Sequence, residues 1–253
     1  MLTDSEGIVL RKIKTSYNRQ MLLLFTKKFG KISAGTSINE RGKSKSSLAL
    51  RPFTYGRYEI FKNRDNFNVN GAEVLKSYYK IGENVDKYMN GAYALEFTEK
   101  VLEEGAPAPE IFTNFIDFLN VLENREKGIG TLVLAYQIKV FKCAGVMPEV
   151  NCCTVCGKPI DRAYFSVEHG GAVCKECGDH IVKESAENSE PHSLIYSDDF
   201  DIIGIIRYFV ANPLKKLENM ALNRKSGEIM QRLVREYAEY YLDVSDIKSE
   251  KLI

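Results

Sequence analysis

Four cysteines with a paired spacing constrain this chain more than any other feature. Two residues separate Cys153 from Cys156 and Cys174 from Cys177, and 17 residues separate the two pairs. Each pair can present two thiolates from one tight turn, and two such turns together form a tetrahedral site with four sulfur ligands. The spacing predicts one structural Zn²⁺ per chain, which fastens a small hairpin and has no open position for catalysis.

Other metal ligands, and cysteine functions other than metal binding, are less well supported by the sequence. Cys152 can replace Cys153 with a longer spacing, and His169 or His180 can compete, but four thiolates make the simplest set. Cys143 is expected to be a small core residue of its helix. Disulfides are disfavoured because the first residues have no signal-peptide core, and a thioredoxin-like motif would occur once rather than twice.

A glycine follows the second cysteine of each pair. Gly157 and Gly178 therefore occupy matching positions, where a positive φ would let each turn finish and bring backbone N–H groups close to sulfur. We expect both glycines to have this conformation.

The first 70 residues have the pattern of β-strands. Short β-branched or aromatic runs are separated by polar or glycine-containing stretches, and the segment DNFNVNG can supply a last strand. In the run 52–61, Phe53 and Tyr55 have one phase and Tyr58 and Ile60 the other, so a bulge near Gly56 would restore a single buried face. Five bent strands predict an OB-fold β-barrel, a fold that binds single-stranded nucleic acid.

The charge is divided unevenly along the chain. The net charge is +1, but residues 1–62 hold 13 lysines and arginines against four acidic residues, and residues 63–253 hold 22 basic and 30 acidic residues. Nine excess positive charges on a small barrel attract a polyanion, of which nucleic acid is the commonest. The asymmetry favours a DNA-binding barrel joined to an acidic remainder.

Gly42, Lys43 and Ser44 look like the end of a nucleotide-binding P-loop. That motif requires a glycine five positions before Gly42, where this chain has Ser37, and no apolar helix pattern begins at once after Ser44. The stretch is better interpreted as a solvated basic loop, and no nucleotide site is predicted.

Helical spacing begins after about residue 71. Pro109 fits the first turn of a helix whose apolar positions follow the i, i+3, i+4, i+7 pattern, namely Phe112, Phe115, Ile116, Leu119 and Leu122. Further helices are predicted at 72–104, with a break near Gly82 or Gly91, and at 129–145, 199–211 and 226–243. The last of these has one apolar stripe, namely Met230, Leu233, Val234, Tyr237 and Tyr241. The apolar fraction of 44% suffices for a buried core, and the apolar stripes are expected to form it.

Catalytic equipment is not apparent. The acidic cluster Ser197–Asp201 resembles carboxylates that hold Mg²⁺ in nucleases, but a serine followed by aspartates is also how a helix begins. We expect a helix start there, no catalytic residue and no enzymatic activity. The predicted class is α+β and multidomain: an OB-fold DNA-binding domain at 1–78, a helical domain at 79–150 and 181–253, and an inserted four-cysteine zinc-binding module at 151–180.

The order of these parts resembles the RecO family of bacterial recombination mediators and DNA repair proteins. The resemblance covers nearly the whole chain and rests on the cysteine pairs and on the following stretches: GIVLRK, LFTKKFGKISA at 24–34, RGKSKS at 41–46, PFTYGRYEIF at 52–61 and AGVMPEVNCCTVCGKP at 144–159. The final SDIKSEKLI is only loosely similar. Some members of the family lack the cysteines, so zinc is not the shared function.

This resemblance implies an ATP-independent protein that binds and anneals DNA. It would act in the RecF pathway with RecR and single-stranded DNA-binding protein to load RecA, on single- and double-stranded DNA, in the cytoplasm at the nucleoid. The acidic helical remainder is then a candidate platform for the protein partners.

We predict that basic residues of the barrel form one field that holds two strands close together by neutralising their phosphates. About half of the candidates are expected to matter. They are Arg11, Lys14, Arg19, Lys27, Lys28, Lys31, Arg41, Lys43, Lys45, Arg51 and Arg57. Tyr17, Phe29 and Tyr55 are candidates for stacking on bases, although strand and turn aromatics more often belong to the core.

Two other classes of function stay open at this point. A zinc-ribbon adaptor or transcription protein would place its specificity in residues 153–177, but that segment has few basic residues. A Mg²⁺-dependent nuclease would need Asp198, Asp199 or Asp201 in a cleft.

Overall fold

The computed structural model describes residues 2–14, 20–38, 45–64, 66–160, 163–187, 195–196 and 200–252. The chain divides into two compact units. One consists of Met1–Arg125 together with Ile247–Ile253, and the other of Glu126–Asp246.

The first unit contains a closed five-stranded barrel. Its strands are β1 (Leu2–Lys14), β2 (Gln20–Thr26), β3 (Gly30–Thr36), β4 (Thr54–Asn63) and β5 (Asn66–Ser77), in the spatial order β1-β2-β3-β5-β4. The β3–β5 pair is parallel and the other pairs are antiparallel. The predicted OB-fold barrel is thereby confirmed.

The barrel interior is filled by alternate side chains of the strands. Leu22, Leu24 and Ile32 are among its fully buried residues, together with Tyr58 and Ile60. A short helix, α1 (Lys45–Ala49), adds Ala49 and Leu50 to this core, and the Tyr58 hydroxyl donates a 2.7 Å hydrogen bond to the Ala49 carbonyl. A basic loop was predicted at 42–44 and no helix directly after it, because five residues are too few to show a helical period.

The bulge predicted near Gly56 of β4 is wrong. The register between β4 and β5 does shift beside Gly56, but the extra residue is Leu75 of β5, and β4 pairs with β1 without a shift. Tyr58 points into the barrel, while Tyr55 lies on the other face against Phe112, with ring centroids 6.2 Å apart. One face of β4 lines the barrel interior. On the other face Tyr55 is half-buried beside a helix and Phe61 is exposed, so the two aromatic phases do not share one buried face.

Two helices of the same unit pack against the barrel. They are α2 (Val85–Val101) and α3 (Pro109–Asn124), and a 3₁₀ turn at Tyr79–Glu83 precedes them. Pro109 begins α3 as predicted, and Phe112 meets Phe25 edge-on at 5.1 Å. The helix predicted at 72–104 begins later, because residues 72–77 continue β5 along β4.

The end of the chain returns to this unit as a 3₁₀ turn at Lys248–Leu252. The Glu96 carboxylate accepts hydrogen bonds from the backbone N–H groups of Lys248 and Ser249 and a 2.6 Å bond from the Ser249 hydroxyl. One carboxylate thus fixes the start of this turn on α2.

The second unit combines helices with a small sheet. Its helices are α4 (Ile129–Cys143), α5 (Lys175–Glu187), α6 (Ile202–Ala211) and α7 (Arg224–Leu242), with a 3₁₀ turn at Leu214–Leu217. Its strands are β6 (Ala163–Ser166), β7 (Gly171–Cys174) and β8 (Ile195–Tyr196), in the order β7-β6-β8. Met230, Leu233, Val234 and Tyr237 of α7 are buried, as its stripe predicted. Among the described residues, no helix is both long and apolar enough to cross a membrane.

Candidate metal centre and nucleic-acid interface

The four paired cysteines come from three local structures of the second unit. Cys153 and Cys156 lie in a turn before β6, Cys174 ends β7, and Cys177 lies in the first turn of α5. Their sulfur atoms all lie within 4.8 Å of one another. Within the described residues, this is the one cluster of three or more potential ligands that can hold a metal ion.

The two glycines that follow the cysteine pairs have different roles. Gly157 has a φ of +73°, and its N–H donates a 2.8 Å hydrogen bond to the Cys153 carbonyl, as the turn requires. The expectation for Gly178 is wrong, because Gly178 lies inside α5. A Cβ atom there would lie 2.2 Å from the Tyr164 ring, so Gly178 is needed for close packing of α5 on β6.

The sulfur geometry fits a tetrahedral metal site. Cys156 Sγ and Cys174 Sγ are 3.8 Å apart, and a tetrahedron with metal–sulfur bonds of about 2.3 Å has edges of about 3.8 Å. The Cys153 sulfur is buried and accepts a 3.3 Å hydrogen bond from the Cys174 N–H. Four sulfurs with this spacing suit Zn²⁺.

The thiols differ in acidity because they share one small space. Burial raises the pKa of Cys153, but the N–H groups of Cys174, Cys156 and Val155 outweigh burial and lower it to about 6. The pKa of Cys177 is raised to about 12, chiefly by its hydrogen bond with Cys174. Four thiolates this close repel one another, and a divalent cation among them favours the ionised form of all four.

The competing ligands considered from the sequence lie outside this cluster. Cys152 forms a β-bridge with Pro159. His169 Nδ1 lies 3.0 Å from the Ser166 hydroxyl, and His180 Nδ1 lies 3.3 Å from the Glu184 carboxylate. Cys143, at the end of α4, is half-buried.

Two residues that support the module were missed by sequence reasoning. The Glu149 carboxylate accepts hydrogen bonds from the N–H groups of Asn151 and Cys152, and these bonds lower its pKa. The Tyr241 hydroxyl donates to the carbonyl of Val167 at 3.0 Å, which ties the β6–β7 turn to α7. Glu149 had no visible signal, whereas Tyr241 belonged to the stripe assigned to the core.

The basic residues predicted to bind DNA lie in different surroundings. Arg11 pairs with Glu99 of α2 at 2.9 Å, and the Lys31 ammonium donates a 2.7 Å bond to the Glu99 carbonyl. These two cations face a helix of their own unit. Arg51 is exposed after α1.

Lys27, Lys28 and Arg57 line one hollow on the outer surface of the barrel. Its volume is about 370 Å³, and Asp4, Ser5 and Glu6 complete its walls. Lys27 pairs with Glu6 at 3.2 Å, and Lys28 donates to the Thr3 hydroxyl at 3.0 Å. The pKa of Glu6 is lowered, first by a hydrogen bond from Tyr55 and then by Lys27 and Arg57, so this carboxylate is ionised at neutral pH.

The remaining predicted DNA contacts belong to parts of the chain that the structure does not describe. Arg19, Arg41 and Lys43 lie outside the described residues, and so do the side chains of Lys14 and Lys45. The same applies to Tyr17.

Asp201 has a structural position. Its carboxylate accepts a 2.7 Å hydrogen bond from the Gly204 N–H and caps α6. The helix therefore begins at Ile202 and not at residue 199, while Ser197, Asp198 and Asp199 lie outside the described residues.

Family models match both parts of the chain. The model described as Recombination protein O N terminal matches residues 1–78, and the model described as Recombination protein O C terminal matches residues 82–251. The resemblance predicted from the motifs is thereby confirmed.

Curated relatives match along almost the full chain. The DNA repair protein RecO of Alkaliphilus metalliredigens is 28% identical over 250 residues, covering 96% of this chain and 95% of the relative. The protein of the same name from Caldanaerobacter subterraneus is 26% identical over 246 residues, covering 97% of this chain and 95% of the relative. That from Thermoanaerobacter sp. is 26% identical over 253 residues, covering 100% and 97%.

Proposed function

Because this chain belongs to the RecO family of DNA repair and recombination proteins, we propose that it is an ATP-independent mediator that binds and anneals DNA. In this role it acts with RecR and single-stranded DNA-binding protein to promote loading of RecA. It works on single- and double-stranded DNA in the cytoplasm, at the nucleoid.

The observation that carries this proposal is the basic hollow on the barrel. Lys27, Lys28 and Arg57 place three cations around a space of about 370 Å³. Lysine and arginine at such a site bind phosphates without reading sequence. Two complementary strands repel each other through their phosphates, so a surface that neutralises both lowers the barrier to pairing.

The proposed role needs no catalytic group. DNA pairing is driven by the bases themselves, and the protein supplies charge neutralisation and proximity. Asp201, one of the carboxylates considered for a Mg²⁺ site, caps a helix instead.

We propose that the metal of the cysteine cluster is Zn²⁺ and that its role is structural. Cys153, Cys156, Cys174 and Cys177 would hold it. Zn²⁺ with four thiolates has no free position for water, so it supplies only cross-linking. These residues join the turn before β6 to β7 and α5, and the module then offers a fixed surface to protein partners.

The proposed function is tested by annealing without nucleotide. Two complementary fluorescent oligonucleotides are mixed with the protein, and duplex formation is followed at low salt. We expect the wild type to accelerate annealing, and we expect the triple variant Lys27→Glu, Lys28→Glu, Arg57→Glu to reduce that acceleration at least about ten-fold. A wild type that neither binds nor anneals DNA would contradict the proposal and favour a zinc-fastened adaptor module.

Substitution of Glu6 by glutamine is expected to strengthen DNA binding. A phosphate that enters the hollow must compete with the Glu6 carboxylate, which pairs with Lys27. Removing this competing charge should improve the free energy of DNA binding by roughly 0.5–1 kcal/mol, which is about two- to five-fold in affinity. Fluorescence anisotropy at low salt measures this change.

Glu228→Gln is a matched control for this variant, since Glu228 pairs with Arg224 at 2.8 Å on α7 of the second unit. Equal affinity of Glu6→Gln and wild type would show that phosphates do not enter this hollow.

A further inference from the structure

An opening lies between β3 and the β4–β5 hairpin. The parallel ladder between β3 and β5 joins Ala34–Thr36 to Phe67–Val69. Earlier in β3, Lys31 meets Glu104 in the loop after α2. Between these contacts lies a hollow of about 510 Å³, within the range of small-ligand pockets, which runs from roughly 300 to 1,000 Å³.

Two aromatic residues line part of the wall of this hollow. Phe29 and Phe67 are both half-buried, and their ring centroids are 5.5 Å apart with the planes tilted by 54°. Ile60 and Val69 are paired inside the barrel, and the next pair on the same face of the two strands is Lys62 with Phe67. Phe67 therefore stands at the rim, where the interior opens to solvent.

The Lys62 side chain lies over the Phe67 ring. The Lys62 ammonium lies 5.2 Å from the centre of the Phe67 ring, and the Lys62 side chain is exposed. A cation beside an aromatic ring suits a ligand that is both flat and anionic, because the ring stacks on the flat part and the ammonium pairs with the charge.

We propose that this hollow binds one unpaired nucleobase of single-stranded DNA, stacked on Phe67. The inference rests on the proposed DNA binding and adds a base contact to the phosphate contacts. The flexible Lys62 side chain leaves the ring face as the base arrives and pairs with a neighbouring phosphate. Asn66 and Glu104 also line the hollow, where their amide and carboxylate groups meet the polar edge of the base.

Glu104 also determines which part of the strand enters. Its carboxylate repels phosphates, so the backbone lies outside with Lys62 and the base lies inside. In a duplex each base is already stacked and paired, so it cannot enter without unstacking. The hollow therefore favours single strands over duplex, which a field of cations alone does not.

Phe67→Leu tests the proposal, since leucine keeps apolar volume but removes the aromatic face. We expect affinity for a single-stranded oligonucleotide to fall by roughly 5- to 100-fold. Affinity for duplex and the slope of affinity against salt should stay within about two-fold of wild type. Phe61→Leu is the matched control. Phe61 precedes Lys62 on β4 and is exposed, and it lies on the face of the sheet opposite to that of Phe67. Thermal unfolding of both variants verifies the fold.

A second measurement uses the wild type alone, so it does not depend on how the variant folds. Single-stranded DNA that contains 5-iodouracil is crosslinked by light, and the attached peptide is identified by mass spectrometry. Crosslinks at Phe29 or Phe67 support the proposal. The proposal is overturned if crosslinks form only at other residues, or if Phe67→Leu loses the same affinity for single-stranded DNA as for duplex. DNA binding by the barrel stands in either case. If the wild type binds no DNA, the proposed function fails as well.

Discussion

We expect the replacement of Cys153 by serine to abolish metal binding at the proposed Zn²⁺ site and to destabilise the second unit by about 3 kcal/mol or more. Cys153 is the most buried of the four ligands, and its sulfur also accepts the Cys174 N–H. The substitution thus removes a metal ligand and disturbs the contact between the first turn and β7. Metal content per chain and thermal unfolding measure the two effects.

Cys152→Ser is the matched control for this experiment. Cys152 is the adjacent residue and a half-buried thiol, but it lies outside the cluster. We expect this variant to keep one metal ion per chain and a melting temperature near that of wild type. Loss of metal from Cys152→Ser, or full metal content in Cys153→Ser, would contradict the assigned ligand set.

The Cys153→Ser variant also tests whether DNA binding depends on the metal. The residues that line both hollows of the barrel belong to the first unit, whereas the four cysteines belong to the second unit. If DNA contacts lie on the barrel, Cys153→Ser should bind an oligonucleotide with nearly wild-type affinity at a temperature where the barrel stays folded. A parallel loss of metal and DNA binding would move the DNA contacts to the zinc module.

The cysteine cluster was predictable because its information is local. Two cysteines three positions apart fit one turn, and no distant contact is needed to bring their sulfurs together. The role of Gly178 was not predictable in this way, since it depends on Tyr164 in a neighbouring strand. Identical positions in the motif therefore gave one glycine in a turn and one in a helix.

The barrel, too, could be predicted from the sequence only in part. Alternation in the sequence predicted the strands, but it could not show that Phe112 of helix α3 packs against Tyr55 on the outer face of β4 and leaves it half-buried. A count of charges could not distinguish the cations by their partners. Arg11 and Lys31 look like Lys28 in the sequence, yet Arg11 and Lys31 both contact Glu99, far along the chain on α2.

Because the basic residues have different partners, we expect their substitutions to lower DNA affinity by different amounts. Lys27→Glu combined with Lys28→Glu should lower DNA affinity by about 10- to 100-fold at 50 mM salt and reduce the salt slope by about two. Arg11→Gln should have a smaller effect than Lys28→Gln, because Arg11 is already paired with Glu99 at 2.9 Å. Anisotropy titrations across a range of salt concentrations measure both quantities.

Lys215→Glu combined with Lys216→Glu is the matched control, since these adjacent lysines are exposed in the second unit. It makes the same change in net charge as the barrel variant. Similar losses in the two double variants would mean that overall charge, and not the barrel surface, attracts the DNA.

The salt response of the wild type tests the mechanism as a whole. If about six cations engage phosphates, affinity should fall by roughly three decades between 50 and 200 mM salt, because each contact releases condensed counterions. Bases stacked in the hollow beside Phe67 release none, so single strands should keep a salt-independent part of their affinity that duplex lacks. A flat salt response would remove the phosphate contacts from the mechanism, and with them the reason for two repelling strands to meet on this barrel.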